Sequence, residues 1–367
     1  MTSPWINRHV LRLLNAAALT KAFARYRNPR RRAIGRHQTA FYHRVWREAA
    51  AELGAAYRTL GSDIAEIELD GVRTRVCENT CAIDDPVTLA VLSDKHLTYE
   101  ILAQERLPTP AHATFTLADM APALAFLKSS ADPCVVKPAS GTGGGRGITT
   151  GILRPSHLAR AAAAAAVYCD RLLIERQIPG DNYRLLYLDG QPLDAFARRH
   201  PSVAGDGRST VARLVRAAND DRLRKGSGRS QVLLSEDLDM RRTLAAHGLS
   251  LRSVPPAGSN VTLKTVVNEN DGADNVTATD LLCSEILEDC SRAVRALDVR
   301  LAGVDVITPN PTVPLRQAGG VILEVNAPPN FYYHYHKRDG AFPVAVHVLK
   351  RLLRTETEVE VAVGSSH

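Results

Sequence analysis

The chain has 367 residues, 45% of them hydrophobic and 23% charged, which is the composition of an ordinary globular protein with room for two or three lobes. Its formal net charge is +7, but 11 of the 46 Lys and Arg residues lie within residues 1–47, a stretch without Asp or Glu. The remainder has 35 basic and 39 acidic residues, which excludes a basic nucleic-acid-binding body, so we expect no nucleic-acid partner.

The basic segment at residues 1–40 is predicted to be a helical extension, because apolar residues such as Leu11 and Leu14 alternate with Arg8 and Arg12 in a roughly amphipathic pattern. It either packs on the body or binds weakly to an anionic membrane or substrate. No stretch has the ~20 apolar residues of a spanning helix, and none resembles an export signal. We therefore expect a cytoplasmic protein without stable membrane insertion, whose six cysteines, lacking zinc-type spacing, are reduced.

A small α/β domain is predicted at residues 41–92. Residues 41–56 have an apolar side chain at every fourth position, which predicts a helix. Two β-like runs follow at 64–69 and 74–77, and the dipeptide Asp-Gly between them predicts a tight turn.

The middle of the chain carries strands beside helices without strict βαβ alternation, which indicates the α+β class. A helix that contains Lys95 and reaches Gln104 precedes strands at 134–138 and 148–152, so glycine-rich residues 140–147 join two strands. The other predicted elements are a helix at 156–168, a strand at 171–178, a hairpin at 183–188 and 192–197, a mobile stretch at 219–229, a strand at 260–267, a polar turn at 268–275, a helix at 280–297, strands at 303–308 and 320–326, and a closing helix at 342–353.

Residues 140–147, called the glycine loop below, indicate a phosphate-binding element. They lack the GxxxxGK[ST] pattern, and the strand that follows them removes the helix amino terminus that a P-loop or a dinucleotide fingerprint needs. A glycine hairpin can instead fold its backbone N–H groups over phosphates as a lid, with Arg146 adding charge; an ordinary disordered hairpin is the alternative. Lys137 on the entering strand and Lys95 on the preceding helix supply two further cations, which favours the lid.

Three oxygen-bearing side chains lie on two apolar strands. Asp305 lies in one strand, and Glu324 and Asn326 lie two apart in the next, so these two share a face. Their neighbours Leu323 and Val325 are expected to point into the core. Such polar groups are costly to bury unless something neutralises them, and Mg²⁺ prefers oxygen ligands that it can share with ATP phosphates. The pattern predicts a magnesium site, with half-exposed residues facing water as the alternative.

The order of these motifs resembles the ATP-grasp superfamily: two lysines, a glycine lid, Glu-Arg-x-Ile-Pro-Gly at 175–180, a strand aspartate and Glu-x-Asn. Residues 84–340 resemble the ATP-grasp region of cyanophycin synthetases most, and D-alanine–D-alanine ligases and glutathione synthetases more distantly. The resemblance implies an α+β ATP-grasp fold. In it, a central lobe at 93–170 with the lid and a carboxy-terminal lobe at 171–358 with the metal site grip ATP, beside the smaller amino-terminal domain.

The resemblance also implies roles for individual residues at an ATP site. Those implied to bind ATP are Lys95, Lys137, Gly143, Gly144, Gly145, Arg146 and Gly147 at the phosphates, Glu175 and Ile178 at the adenine, and Asn182 at the ribose. Those implied to be catalytic are Arg184, Lys264 and Asn268, the first two at the transferring phosphoryl group. Those implied to hold one or two Mg²⁺ ions, which Mn²⁺ can replace, are Asp305, Glu324 and Asn326.

The activity that the resemblance implies is an ATP-dependent, ADP-forming ligase that joins a small-molecule carboxylate to an amine through an acyl phosphate. At least one partner is expected to be an amino acid or short peptide. The amine must lose a proton, and His334, His336 and Asp271 are candidate bases. A small-molecule kinase with the same ATP cradle and a non-catalytic ATP-binding protein are the alternatives, and a homo-oligomer stays open.

Overall fold

The computed structural model describes residues 8–26, 29–224 and 232–353. Within these ranges the strands form three larger sheets and one two-stranded ribbon. Helices lie beside the sheets, which confirms the α+β class. No helix in the described ranges is both long and apolar enough to cross a bilayer.

The amino-terminal part begins with two long helices and a meander of four strands. The meander has the order β1-β2-β3-β4 and confirms the two predicted strands and the turn between them. The indole of Trp46, buried between helix and meander, donates to the carbonyl of Glu78 at 2.7 Å. The elements are α1 (Arg8–Tyr26), α2 (Pro29–Glu52), β1 (Ala56–Thr59), β2 (Ile64–Leu69), β3 (Val72–Cys77) and β4 (Thr80–Cys81).

The single helix predicted around Lys95 is wrong, because the structure has two, α3 (Pro86–Ser93) and α4 (Lys95–Gln104). Asp94 lies between them in an extended conformation, and its carboxylate accepts from the backbone N–H groups of the next turn. Aspartate is a strong helix N-cap, so it ends one helix and starts another. Lys95 is therefore the first residue of α4.

The second sheet contains the two strands that the glycine loop joins. Its order is β5-β8-β6-β7, all antiparallel, so β8 belongs to this sheet although it begins beyond residue 170, the predicted lobe boundary. Helix α1 packs on its outer helix α6, with Leu11 in the shared core. The elements are β5 (His112–Phe115), α5 (Ala121–Ser129), β6 (Cys134–Pro138), β7 (Thr149–Ile152), α6 (Pro155–Ala165) and β8 (Leu172–Arg176).

The third sheet is antiparallel and has the order β13-β10-β9-β14-β15. Helix α9 covers one part of it, and α12 packs on α2, which joins this sheet to the amino-terminal meander. The elements are β9 (Asp181–Leu188), β10 (Gln191–Arg198), β13 (Val276–Thr277), α9 (Ser284–Ala296), β14 (Leu301–Thr308), α10 (Leu315–Ala318), β15 (Val321–Asn326), α11 (Tyr332–Tyr335) and α12 (Val344–Leu352).

A small unit with its own apolar core is inserted between β10 and β13. The predicted mobile stretch at 219–229 is wrong in its first part, because α7 continues to Leu223, and residues 225–231 lie outside the described ranges. The Asn219 side chain fixes the end of this helix, because its amide donates to the Leu234 carbonyl and accepts from the Leu234 N–H. The predicted strand at 260–267 is shorter than expected. The elements are β11 (Ser202–Ala204), α7 (Val211–Leu223), α8 (Leu238–Ala246) and β12 (Asn260–Thr262).

Candidate active site

A cleft of about 230 Å³ opens between the second and third sheets. Side chains of both sheets and of the segment 265–268 line it. Two groups of charged residues face each other across this space, one from the third sheet and the other from the second sheet and helix α4. Among the lining residues are Lys95, Lys137, Glu175, Ile178, Asn182, Arg198, Asn268, Asp305 and Glu324.

The strand register of the third sheet brings three charged residues together. Asp305 on β14 lies directly opposite Arg184 on β9 and Glu324 on β15. Directly opposed residues of antiparallel strands point to the same face, so the three form one row across the sheet. Asn326 follows Glu324 by two residues and lies on this face too. We call Arg184, Asp305, Glu324 and Asn326 the charged row.

Asp305 is the centre of the charged row. Arg184 donates from Nε to Oδ1 at 2.8 Å and from Nη2 to Oδ2 at 2.9 Å, which is a two-pronged ion pair. The amide nitrogen of Asn326 donates to Oδ2 at 3.1 Å, and Arg198 lies 3.5 Å from Oδ1. One carboxylate therefore holds two guanidinium groups at the wall of the cleft.

Arg198, which no motif in the sequence indicated, is only 6% exposed. Burial lowers the pKa of its guanidinium, and the Asp305 carboxylate offsets part of this effect. Its Nε and the Nδ1 of His200 are buried without a hydrogen-bond partner among the described residues. The pairing of the predicted hairpin could have indicated Arg198. Phe196 on β10 lies opposite Arg184 on β9, and Arg198, two residues after Phe196, points to the same face of the sheet.

Two buried lysines face the charged row from the other side of the cleft. Lys95 Nζ lies 3.1 Å from the Glu324 carboxylate, and Lys137 Nζ lies 2.8 Å from that of Glu175. The Tyr99 hydroxyl accepts from Lys137 at 2.9 Å and donates to the Leu323 carbonyl at 2.7 Å. Each lysine thus has a carboxylate partner that a bound anion can replace.

The pKa of Glu324 is lowered. Burial acts in the opposite direction, but the charges of Lys95 and Lys137 and the hydrogen bond from Lys95 outweigh it. The carboxylate therefore stays ionised through the neutral range, available as a ligand for a cation.

Leu323 does not point into the core as predicted, because it lines the cleft beside Glu324. The pairing of β14 with β15 shifts after Asp305, so Val306 opposes Ile322 and leaves Leu323 as an extra residue. Such a bulge turns a side chain out of the normal alternation, and bulges are common beside functional sites. Val325 is buried, as predicted.

The glycine loop folds against the segment 265–268 on the far side of the cleft. Gly141, Gly144, Gly145 and Gly147 have positive φ, which favours glycine. A Cβ on Gly145 would lie 2.8 Å from the Val266 side chain and 3.0 Å from that of Asn268. The loop thus packs against a segment that lines the cleft, although none of its own residues lines it, and exposed Arg146 donates to the Gly143 carbonyl at 3.1 Å.

Replacing Gly145 with Ala is expected to open this contact, because the new methyl group overlaps Val266 at a backbone angle that alanine rarely adopts. If ATP binds here as the resemblance implies, its KM should rise several-fold while the fold is retained. Steady-state kinetics of Gly145→Ala and Gly143→Ala provide the comparison. Gly143 belongs to the same loop but has open space and no positive φ. Equal effects of the two substitutions would show that the contact with Val266 is unimportant.

The three predicted catalytic residues do not come together. Asn268 lines the cleft. Arg184 does not line the cleft itself, but it forms an ion pair with Asp305, which does. Lys264, however, lies behind the segment 265–268, with Nζ 2.6 Å from Asp237 and 3.1 Å from Glu269. Burial lowers its pKa, but these two carboxylates outweigh that effect and raise it. Because two carboxylates hold Lys264, this residue is placed to anchor the segment 265–268.

The candidate bases also lie away from the cleft lining. His334 is fully buried, with Nδ1 2.6 Å from Asp194, and Lys337 shares that carboxylate at 2.6 Å. His336 stacks on Tyr332, and neither it nor Asp271 lines the cleft. Burial lowers the pKa of His334, so its ring is neutral near pH 7.

Gly303 makes room for Arg184, because a Cβ at this position would overlap the Arg184 guanidinium. Replacing Gly303 with Ala is therefore expected to push Arg184 away from Asp305. For the ADP-forming reaction that the resemblance implies, we expect turnover to fall by about 10- to 100-fold, since a shift of about 1 Å in a positioning group has effects of this size. Initial rates are compared with those of Gly61→Ala, where a Cβ meets nothing within 4 Å. Unchanged turnover in Gly303→Ala would contradict the positioning role of Gly303.

Known proteins with similar sequences were found, although no protein-family model matches the chain. Cyanophycin synthetase of Trichormus variabilis is 36% identical over 252 residues, which are 67% of this chain and 27% of that protein. The glutathione biosynthesis bifunctional protein GshAB of Streptococcus agalactiae is 29% identical over 270 residues, 71% of this chain and 35% of that protein. The chain thus spans about a third or less of the length of these relatives.

The crystal structure of a bifunctional glutathione synthetase from Pasteurella multocida superposes with a TM-score of 0.52. The match has 23% sequence identity and covers 82% of this chain and 41% of that one, so it bears on the fold alone. Together with the charged row, the two lysines and the glycine loop, these similarities identify the chain as a member of the ATP-grasp superfamily.

Proposed function

We propose that this chain is an ATP-dependent, ADP-forming carboxylate–amine ligase that works through an acyl phosphate. The observation that carries the proposal is the cleft between two sheets, in which buried lysines face the charged row and the glycine loop packs on a lining segment. Sequence similarity to a cyanophycin synthetase and to a glutathione biosynthesis protein supports it. An amino acid or short peptide is the proposed substrate on at least one side.

ATP binding would exchange ion pairs within the protein for contacts with phosphate. Lys95 and Lys137 would turn from Glu324 and Glu175 to the phosphate oxygens, so each cation keeps an anionic partner. Ile178 and Glu175 would lie along the adenine and Asn182 at the ribose, since all three line the cleft. Residues 143–147 of the glycine loop would cover the phosphates.

The charged row fits a magnesium site. Asp305 and Glu324 offer carboxylate oxygens on one face, and Mg²⁺ prefers such oxygens. Asn326 now directs its amide nitrogen at Asp305, and a half-turn of that amide presents its oxygen instead. One or two Mg²⁺ ions, or Mn²⁺, would neutralise phosphate charge there and free Arg184 and Arg198 from Asp305.

The chemistry requires no nucleophile from the protein. An oxygen of the substrate carboxylate attacks the γ-phosphorus, the bond to ADP breaks, and the amine then attacks the acyl carbon and expels phosphate. Arg184 and Arg198 would stabilise the charge on the transferring phosphoryl group, and Asn268 would donate to the substrate. Lys264 would hold the segment that carries Asn268. The glycine loop would exclude water, which hydrolyses acyl phosphates.

The proposal is tested by incubating the purified chain with Mg-ATP and pools of amino acids and dipeptides, followed by mass spectrometry. A ligase yields one ADP and one phosphate for each amide formed. A phosphorylated small molecule without free phosphate would replace the proposal with a kinase. ATP binding without turnover across a broad panel would replace it with a binding protein.

A further inference from the structure

We propose that His96, Glu100 and His112 form a binding site for a divalent transition-metal ion of the zinc class. Their ligand atoms all lie within 4.8 Å of one another, and none of the three residues lines the cleft. The site is separate from the charged row and does not depend on the proposed ligase activity. Its three residues include two imidazoles, a ligand type that Zn²⁺ accepts and Mg²⁺ rarely uses.

Two rigid elements hold the three side chains. His96 and Glu100 lie one helical turn apart on α4, which places them on one face of the helix, with His96 Nδ1 3.9 Å from the Glu100 carboxylate. His112 begins strand β5 and faces them, with its Nε2 3.1 Å from His96 Nδ1. The helix start is fixed by the Asp94 cap, so the position of His96 is set by the fold.

The hydrogen bond behind His112 prepares this residue to bind a metal. Its Nδ1 lies 3.2 Å from the carbonyl oxygen of Pro110, which can only accept, so Nδ1 carries the proton. The other ring nitrogen, Nε2, then carries the lone pair that accepts from His96 Nδ1 and that a metal can take instead. Metal-binding histidines commonly donate their second nitrogen to a backbone carbonyl in this way, which fixes the tautomer and the orientation of the ring.

The spacing suits a small ion with nitrogen ligands. Metal–nitrogen bonds of about 2.0–2.1 Å at a tetrahedral centre separate two ligand nitrogens by roughly 3.3 Å. The 3.1 Å between the two imidazole nitrogens is close to that value. Glu100 is exposed and can swing in to supply an oxygen, and water completes the shell. His96 would move its proton from Nδ1 to Nε2 by exchange with solvent, so both rings bind as neutral ligands.

The site lies next to the wall of the cleft. The His112 ring centre is 4.9 Å from that of Tyr99, whose hydroxyl holds Lys137, and His112 pairs with Glu175 across the strands. A metal bound to His112 would thus fix the imidazole ring that packs against Tyr99. Tyr99 in turn supports the ion pair of Lys137 and Glu175.

The test is zinc binding by the chelator-treated, full-length chain without nucleotide. We expect titration with ZnCl₂ in a calorimeter to show one site in the wild type. Glu100→Gln and His112→Gln are expected to weaken it at least tenfold, while His247→Gln, which changes an exposed histidine elsewhere, leaves it unchanged. Glu100→Gln alters only an exposed side chain, so its folding is not at risk; circular dichroism checks the other variants.

Substitution with Co²⁺ identifies the ligands. We expect visible d–d bands of a four- or five-coordinate ion without the thiolate-to-cobalt charge-transfer band, because no cysteine belongs to the site. A thiolate band, zinc binding by Glu100→Gln equal to that of the wild type, or no saturable binding below about 100 μM would each overturn the proposal.

Discussion

Asp305→Asn is expected to lower ADP-forming turnover by about 10²- to 10³-fold, because one carboxylate both offers a magnesium ligand and orients Arg184 and Arg198. It should also lower the free energy of unfolding by about 3 kcal/mol, since Arg198 stays buried after losing its charged partner. Initial rates of ADP release and chemical denaturation measure the two effects separately.

The matched control for this substitution is Asp298→Asn, an exposed aspartate in a left-handed turn that asparagine adopts readily. It should leave both quantities near their wild-type values. A folded Asp305→Asn variant that keeps more than a tenth of the wild-type turnover would show that the charged row does not serve the reaction.

Lys137→Met is expected to have the second large effect. Lys137 is 3% exposed and Glu175 is 2% exposed, so the substitution leaves a buried carboxylate without its cation. We expect a loss of about 3–5 kcal/mol in the free energy of unfolding. We also expect at least about a 100-fold loss of turnover with a raised KM for ATP, because a phosphate contact is removed.

The double variant Lys137→Met with Glu175→Gln separates these two effects. It removes both charges, so most of the lost stability should return, as it does when buried ion pairs are replaced together. Turnover should stay low if the ammonium group acts on ATP. Recovery of turnover together with stability would mean that Lys137 serves only to neutralise Glu175.

Local patterns were sufficient to predict several of the strands and one face of the site. Period-two alternation put Glu324 and Asn326 on one face, and the glycine loop was correctly expected to join two strands. The break at Asp94 was missed, although aspartate is a strong N-cap.

The rest depended on contacts between distant parts of the chain. Arg198 becomes a partner of Asp305 only through the pairing of β10, β9 and β14. Lys264 meets Asp237 and Glu269 because the inserted unit folds behind the cleft. The outward turn of Leu323 comes from one shifted pair of residues between β14 and β15, which no local sequence pattern reports.

Trapping of the activated acid tests the central claim most directly. The chain is incubated with Mg-ATP, hydroxylamine and a carboxylate substrate labelled with ¹⁸O in the carboxylate. The account predicts the hydroxamate of that acid, an equal amount of ADP, and one ¹⁸O atom in each phosphate released. ADP and phosphate released without hydroxamate, or phosphate without the label, would contradict an acyl phosphate and with it the ligase.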